Sequence, residues 1–489
     1  MNYLKRMLVF LLIVSSFLTL SACGGNESSK EAGSDSAELY KHSDEFKTNV
    51  SLADEYINND PNLEKVKGRT IYWLSYYDIN PINNQDRSVA LSLFEDKYGG
   101  KVEYISCTSD NKFDVLASRL LSGDPVDMFP YEWEALPNGV VKNQYMPLDD
   151  YIDLDDDIWS DMKDVIDMYE YKGSHYVVPY TISDPLILTY SRSICEENGL
   201  PDPYELYKQG KWDWDIFMDM MTDFVGDAQD GKTRYGINGW FGQAMIQSTG
   251  ETIIKYDGEK FLNNIKSKAV EEAENTMEEI MRRGLYDNIW HGYLNNDEST
   301  LFFAMSEWAL SESNIKNDSE PDIGEEGFVE KGDLMVVPFP KNPDADKYYL
   351  NCNFGAKMLV KNSSNPEAVG AYIKCERLAS VMDEYKEVSK QKALIPERNA
   401  AGVLKRYITE EQYDALCEYR DPANITPLFD FGYGMGSRMF SDGKYTYETR
   451  GIMDNITSAL LNGDKDSWAV IRDEWSSVID GILKEYNSK

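Results

Sequence analysis

The chain has 489 residues, 42% of them hydrophobic, with 85 acidic against 49 basic side chains and a formal charge of −36. An acidic balance of this size, spread along the whole chain, argues against nucleic acid and anionic lipid surfaces as partners and suits an exported, soluble protein. The length exceeds what one hydrophobic core supports, so two domains are expected.

At the N-terminus, Lys5 and Arg6 precede an apolar run from Met7 to Leu20 that ends in Leu20-Ser21-Ala22-Cys23-Gly24. The run falls short of the ~20 residues of a membrane span, so residues 1–22 read as a signal peptide with small residues at its cut site. This segment resembles the leader of bacterial lipoproteins, which implies lipidation of Cys23 and anchoring on the extracytoplasmic face of the cell membrane. From Gly24 to Lys47 the chain is Gly, Ser, Glu, Asp and Lys with few large apolar residues. Such a segment cannot bury enough surface to fold, and residues 23–62 read as a flexible tether reaching some ~25–30 Å.

From Thr70 the pattern alternates. A strand is expected at Thr70 to Leu74, a helix from Val89 to Tyr98 stopped by Gly99-Gly100, and a strand at Val102 to Ile105. A helix near Phe113 to Leu121 ends at Ser122-Gly123-Asp124-Pro125, and Val126 to Phe129 is a third strand. Alternation of this kind predicts an α/β fold of the doubly wound class, whose ligands bind at the carboxyl ends of the strands. Later strands are expected at Tyr176 to Val178, Leu186 to Tyr190 and Tyr235 to Ile237, with a helix from Trp214 to Phe224. Asn365-Pro366-Glu367 opens another helix, with Asn365 as its cap. Ile471, Trp475, Val478 and Ile482 form one apolar face of a closing helix.

Several motifs follow one another in a set order. Leu121-Ser122-Gly123-Asp124-Pro125-Val126-Asp127 is followed by Met146-Pro147-Leu148-Asp149-Asp150-Tyr151-Ile152. Next come Gly173-Ser174-His175-Tyr176-Val177-Val178-Pro179-Tyr180, Leu188-Thr189-Tyr190-Ser191, Trp214-Asp215-Ile216-Phe217, Val337-Pro338-Phe339-Pro340 and Asn365-Pro366-Glu367-Ala368. In this order the chain resembles the family 1 extracellular solute-binding proteins of ABC importers. The resemblance implies a two-lobed, type II periplasmic-binding-protein-like fold, each lobe a mainly parallel sheet flanked by helices, with a helical C-terminal segment. It places lobe one at residues 64–184 plus 355–396 and lobe two at 185–354 plus 397–489. The implied crossings lie near Ser183 to Leu188, Leu350 to Gly355 and Ile395 to Arg398. Two departures stand out: Asp213 replaces the Thr that caps the Trp-Asp helix in relatives, and Phe302-Phe303 precede Ala304-Met305.

The same resemblance implies a carbohydrate cargo, ABC permease subunits as partners, contact with the membrane only through the lipid, and a monomer that is not an enzyme. A sugar presents apolar faces and hydroxyl edges, so its site needs flat rings beside carboxylates, amides or Arg. Among 33 Tyr, 10 Trp and 18 Phe, those in loops after strands are the candidates. They are Tyr76, Tyr77 and Asp78; Asp127; Tyr131, Glu132 and Trp133; then Trp240, Trp308 and Tyr433. Trp214 reads as a helix anchor in the core. No Arg or Lys cluster stands among these loops, which favours a neutral oligosaccharide, with Arg398 and Arg438 as the exceptions to watch.

No cofactor or metal is expected. Asp153-x-Asp155-x-Asp157 lacks the Gly and the bidentate Glu of a calcium loop and reads as an acidic helix start. Only His42, His175 and His291 exist, and no Gly-x-Ser-x-Gly, Walker or dinucleotide motif appears. A glycan hydrolase, a surface sensor and an importer receptor for a peptide or glycerol phosphate are the competing readings. Cys107, Cys195, Cys352, Cys375 and Cys417 show no short spacing, so a disulfide framework is not expected and most read as buried apolar residues.

Overall fold

A computed structural model describes residues 48–81, 87–226, 233–289, 299–314, 333–398, 404–436, 451–463, 465 and 467–488. Cys23, the signal peptide, the tether before residue 48, His42, His291 and Arg438 lie outside them. The expected tether does not run to residue 62: Val50–Ala53 and Asp54–Asn58 are helical, Ala53 and Ile57 are buried against the body, and the Tyr98 hydroxyl donates to Asp60 at 2.6 Å. No helix among the described residues is long and apolar enough to cross a membrane.

Two four-stranded sheets organise the chain. The first is built on Thr70–Ser75, which pairs in parallel with Lys101–Ser106 on one side and Met128–Pro130 on the other; Lys357–Leu359 adds an antiparallel edge. Ile71, Trp73 and Leu74 are buried, as a strand covered on both faces requires. The helix Val89–Asp96 is capped by the Ser88 hydroxyl and packs on the helix Pro366–Val381, where Phe94 meets Tyr372 edge to face at 5.4 Å. Lys112–Ser122 covers Thr70–Ser75 and ends at Gly123, whose φ of +76° suits a residue without a side chain.

The second sheet has the order Leu334–Pro338, Leu186–Ser191, Thr300–Ser306, Tyr235–Gly239. Three strands run the same way, while Leu186–Ser191 opposes both of its neighbours because it enters the sheet directly from the first sheet's side. Phe302 fills the core between Trp212 and Phe217, at 5.7 and 5.2 Å between ring centroids. Asp213 accepts from the Ile216 amide at 3.1 Å, the capping role expected of it. Trp214 is buried and donates to Ser248 Oγ at 3.1 Å.

Short strands join the two sheets. Thr181–Ser183 pairs antiparallel with Asn353–Gly355, and Tyr349–Asn351 pairs in parallel with Thr426–Leu428. Beyond the second sheet, the hairpin Ile254–Tyr256 and Phe261–Asn263 packs with the helices Lys268–Arg282, Ile452–Leu461 and Trp468–Asn487.

Three local expectations differ from the structure. Tyr176 to Val178 is in no ladder; the neighbouring pairing falls to Glu170–Tyr171 with Ser174–His175, and Val177 and Val178 are both simply buried. Asn365 stands at the helix N-cap without capping, because its amide donates to Asp127 Oδ2 instead. In Trp468–Asn487 the buried line runs through Ile471, Ile479 and Leu483, leaving Val478 47% exposed. The five cysteines after Cys23 are free, with Cys195 and Cys375 buried and Cys417 exposed.

Candidate functional site

The strand register fixes where a site forms. In the first sheet, Pro130 at the end of its strand lies beside Lys357, which follows the crossing strand Asn353–Gly355. In the second, Ser306 and Pro338 end beside Leu186 and Ile187, which follow the crossing strand Thr181–Ser183. Both sheets therefore turn carboxyl ends toward the crossing segments, the position where open α/β sheets bind ligands.

The first sheet contributes two loops. After Thr70–Ser75, Tyr76 and Tyr77 meet edge to face at 5.2 Å, and the Trp73 indole donates to the Tyr77 carbonyl at 3.0 Å. Asp78 accepts from the amide and side chain of Asn80, both at 2.9 Å, which shapes this loop. After Met128–Pro130, Glu132 pairs with Lys112 at 3.1 Å, and the Lys112 ammonium lies 5.1 Å from the Tyr76 ring centroid. The Tyr76 hydroxyl is pushed well up, first by burial and then by the charge of Glu132. Burial and then the charge of Glu132 likewise raise Glu134.

Tyr131 turns inward, its hydroxyl 3.0 Å from that of Tyr169. Trp133 turns outward and remains 40% exposed. Its indole donates to Asn353 Oδ1 at 2.7 Å, and its ring lies over Tyr433 at 4.5 Å. Tyr433 comes from the segment that follows Thr426–Leu428. That segment is fastened by the buried Asp430 carboxylate, which accepts from the amides of Ile253, Ile254 and Gly432. Burial pushes Asp430 up to about 6 against these three donors. Gly434 lies so close to the Trp133 backbone that a Cβ there would stand 2.2 Å from the Trp133 carbonyl oxygen.

The second sheet contributes Trp240. Gly239 ends its strand with φ +94°, and the next amide donates to the Ala304 carbonyl at 2.8 Å, which leaves the Trp240 side chain 52% exposed. Trp308 opens the helix Trp308–Ser313 two residues after Thr300–Ser306, on the same edge; its side chain, like that of Arg398, is outside the described set.

Asp127 is set apart from the other candidates. It is 1% exposed, and its carboxylate accepts from the Tyr72 amide, Ser363 Oγ, the Ser364 amide and Asn365 Nδ2 at 2.6–3.1 Å. With its acceptor sites occupied from within, it fastens the loop before Pro366–Val381 to the first strand and presents nothing to a ligand.

Sequence reasoning missed the polar floor between the rings. Asp184, in the left-handed region at φ +43°, lies beside Asn353 and faces Arg420, which also pairs with Glu307. Burial raises Asp184 and lowers Arg420, while the opposite charge of each partner counters the shift. On the neighbouring strand, Asn351 donates to the Tyr433 hydroxyl at 2.6 Å and to Gln247 Oε1. No local pattern marks these residues, because their partners stand many tens of residues away.

The arrangement is a half-buried polar floor carrying the half-exposed Trp133 indole, with a second half-exposed indole, Trp240, at the carboxyl end of a strand in the other sheet. Its charges are matched locally, Lys112 with Glu132 and Arg420 with Glu307 and Asp184. Rings of this kind cover apolar faces, and the amides and charged groups between them serve hydroxyls.

The sequence model described as bacterial extracellular solute-binding protein matches residues 81–375. Comparison with curated proteins gave no match. Among solved structures, the sugar-binding protein MalE from Xanthomonas citri aligns at a TM-score of 0.57 with 13% identity, covering 85% of this chain and 98% of that one. The galacto-N-biose-/lacto-N-biose I-binding protein from Bifidobacterium longum aligns at 0.55 with 11% identity, covering 86% and 98%. The cyclic α-maltosyl-1,6-maltose binding protein from Arthrobacter globiformis aligns at 0.55 with 14% identity, covering 86% and 100%. At these identities the likeness is one of fold.

Proposed function

This chain belongs to the bacterial extracellular solute-binding protein family, whose members are non-catalytic receptors, and from that premise we propose that it captures a neutral oligosaccharide for an ABC importer. The observation that carries the cargo class is the pair Trp133 and Trp240. Each follows the carboxyl end of a strand, each is about half exposed, and they come from different sheets with the Asn351–Asn353–Asp184–Arg420 floor between the strands that bear them. The neutral class is supported by the matched charges at the crossing, which among the described side chains leave no surplus cation for a polyanion. The names of the aligned structures, which bind sugars, point the same way. On this reading the Cys23 thiol carries the lipid, and the tether before residue 48 lets the body reach its permease.

Thermal-shift screening of the body from Asn26, against neutral and acidic oligosaccharides, polyols and short peptides, tests the cargo. A neutral oligosaccharide that raises the melting temperature at low concentration supports the reading, since a ligand bound only by the native state stabilises it. Response to peptides alone removes the carbohydrate while leaving the importer role. For the anchor, Cys23→Ala in the full chain is expected to release the protein from the membrane fraction into the medium.

A further inference from the structure

Two side chains on one crossing segment hold the two rings that meet at the floor. Asn351 closes the strand Tyr349–Asn351 and Asn353 opens the strand Asn353–Gly355. Residues two apart on extended chain face the same way. Asn351 Nδ2 donates to the Tyr433 hydroxyl at 2.6 Å, and Asn353 Oδ1 accepts from the Trp133 indole at 2.7 Å. Those two rings lie 4.5 Å apart, tilted by 33°. The Asn351 amide nitrogen is engaged twice, since it also donates to Oε1 of Gln247, itself fully buried and donating to the Leu428 carbonyl, while Asn353 lies beside the Asp184 carboxylate. Asn351 is therefore oriented through its amide nitrogen, shared between Gln247 and the Tyr433 hydroxyl, and Asn353 turns its amide oxygen to the Trp133 indole.

We propose that Asn351 and Asn353 are positioning residues that fasten Tyr433 and Trp133 to the crossing segment as a preassembled aromatic floor. The proposal rests on the reading of the crossing as the ligand site. Its physical consequence is that Trp133, although it follows a strand of the first sheet, is held by the crossing, as is Tyr433 beyond Thr426–Leu428. A ligand then meets a surface whose ring orientation costs no ordering at the moment of binding, the usual source of affinity from preorganisation. The backbone contact of Gly434 with Trp133 closes the same assembly from the other side.

The test incorporates 5-fluorotryptophan and follows the fluorine NMR spectrum of the body, assigning Trp133 by the signal lost in Trp133→Phe. Asn353→Ala is expected to shift or broaden that signal while the signal of the buried Trp73 stays in place, and to weaken the ligand found by thermal shift about tenfold. Asn351→Ala acts through Tyr433 and moves the same signal independently, so the result does not depend on one variant folding. Asn353→Asp keeps an oxygen for the indole N–H and brings the Trp133 signal back toward its place as pH falls and protonation relieves the repulsion from Asp184; a general packing defect is not rescued. An unmoved Trp133 signal in both alanine variants overturns the positioning. A moved signal with unchanged affinity keeps the positioning and overturns the reading of this floor as the ligand site.

Discussion

Replacing each exposed indole by alanine puts the ring reading at risk in numbers. Trp133 is 40% and Trp240 52% exposed. With a Trp side chain of roughly 250 Å², a ligand that covers what is open removes about 100 and 130 Å² from water. At about 25 cal/mol per Å² that is worth ~2.5 kcal/mol at Trp133 and ~3 kcal/mol at Trp240. A sugar covering only half of each exposed area still leaves ~1.3 kcal/mol, so dissociation constants are expected to rise between about tenfold and a hundredfold. Titration calorimetry with the stabilising oligosaccharide reads this directly. The unliganded melting temperature serves as the control. Trp133→Ala also removes the bond to Asn353 and the contact with Tyr433, so it loses about 1 kcal/mol. Dissociation constants within threefold of the unmodified protein for both variants would refute the assignment of these rings to the cargo.

Asp127→Ala strips the acceptor from four donors in a site that is 1% exposed; a loss of at least ~3 kcal/mol in urea unfolding is expected, with ligand affinity of the folded fraction unchanged. A tenfold affinity loss at nearly intact stability is the contrary result. Glu274 is fully buried with neither carboxylate oxygen hydrogen-bonded, and burial raises it well above the ordinary carboxylate range. Its folded pKa exceeds its unfolded one, so its contribution is whole below about pH 4 and is lost as pH rises toward the folded value, at ~1.4 kcal/mol per unit. Glu274→Gln is therefore expected to lose less stability than the unmodified protein as pH rises from 5 to 7, and equal pH slopes for the two exclude this account. Gly239→Ala forces a Cβ to within 2.1 Å of the Ala304 carbonyl oxygen at φ +94°. It should weaken binding by displacing Trp240 without touching its ring, and unchanged calorimetry would disconnect that turn from the site.

What was legible in the sequence was what is local. The strand Thr70–Ser75, the helix Lys112–Ser122 and the loops carrying Trp133 and Trp240 are written in runs of a few residues, through apolar periodicity and Gly stops. Asp127 was legible as a motif residue but not in its role, because the Ser363-Ser364-Asn365 segment that saturates it lies more than 230 residues further on. The same distance hides Asp184, Asn353 and Arg420, which come together only when the crossings form. Val478 was misplaced for another reason. Spacings of three and four fit two neighbouring stripes on one helix, and the packing of the preceding helices selects Ile479 instead.

Closure of such a receptor needs contacts that exist in only one state, since a ligand shifts an equilibrium by its differential affinity and by nothing else. On the proposed reading Trp133, tied to the crossing through Asn353, touches cargo whether the sheets are apart or together, and its contribution is uniform binding. Trp240 stands on the second sheet, at the end of Tyr235–Gly239, and reaches cargo held on the floor only as that sheet approaches. The two alanine variants should therefore separate in small-angle scattering at saturating ligand. Trp133→Ala, once saturated, compacts as fully as the unmodified protein. Trp240→Ala loses up to ~3 kcal/mol of the closing energy and remains partly extended, because a closed-to-open ratio falls about tenfold for each 1.4 kcal/mol removed. Equal compaction of both variants would place the closing contact elsewhere, and the next ring on that edge to change is Trp308, at the start of Trp308–Ser313.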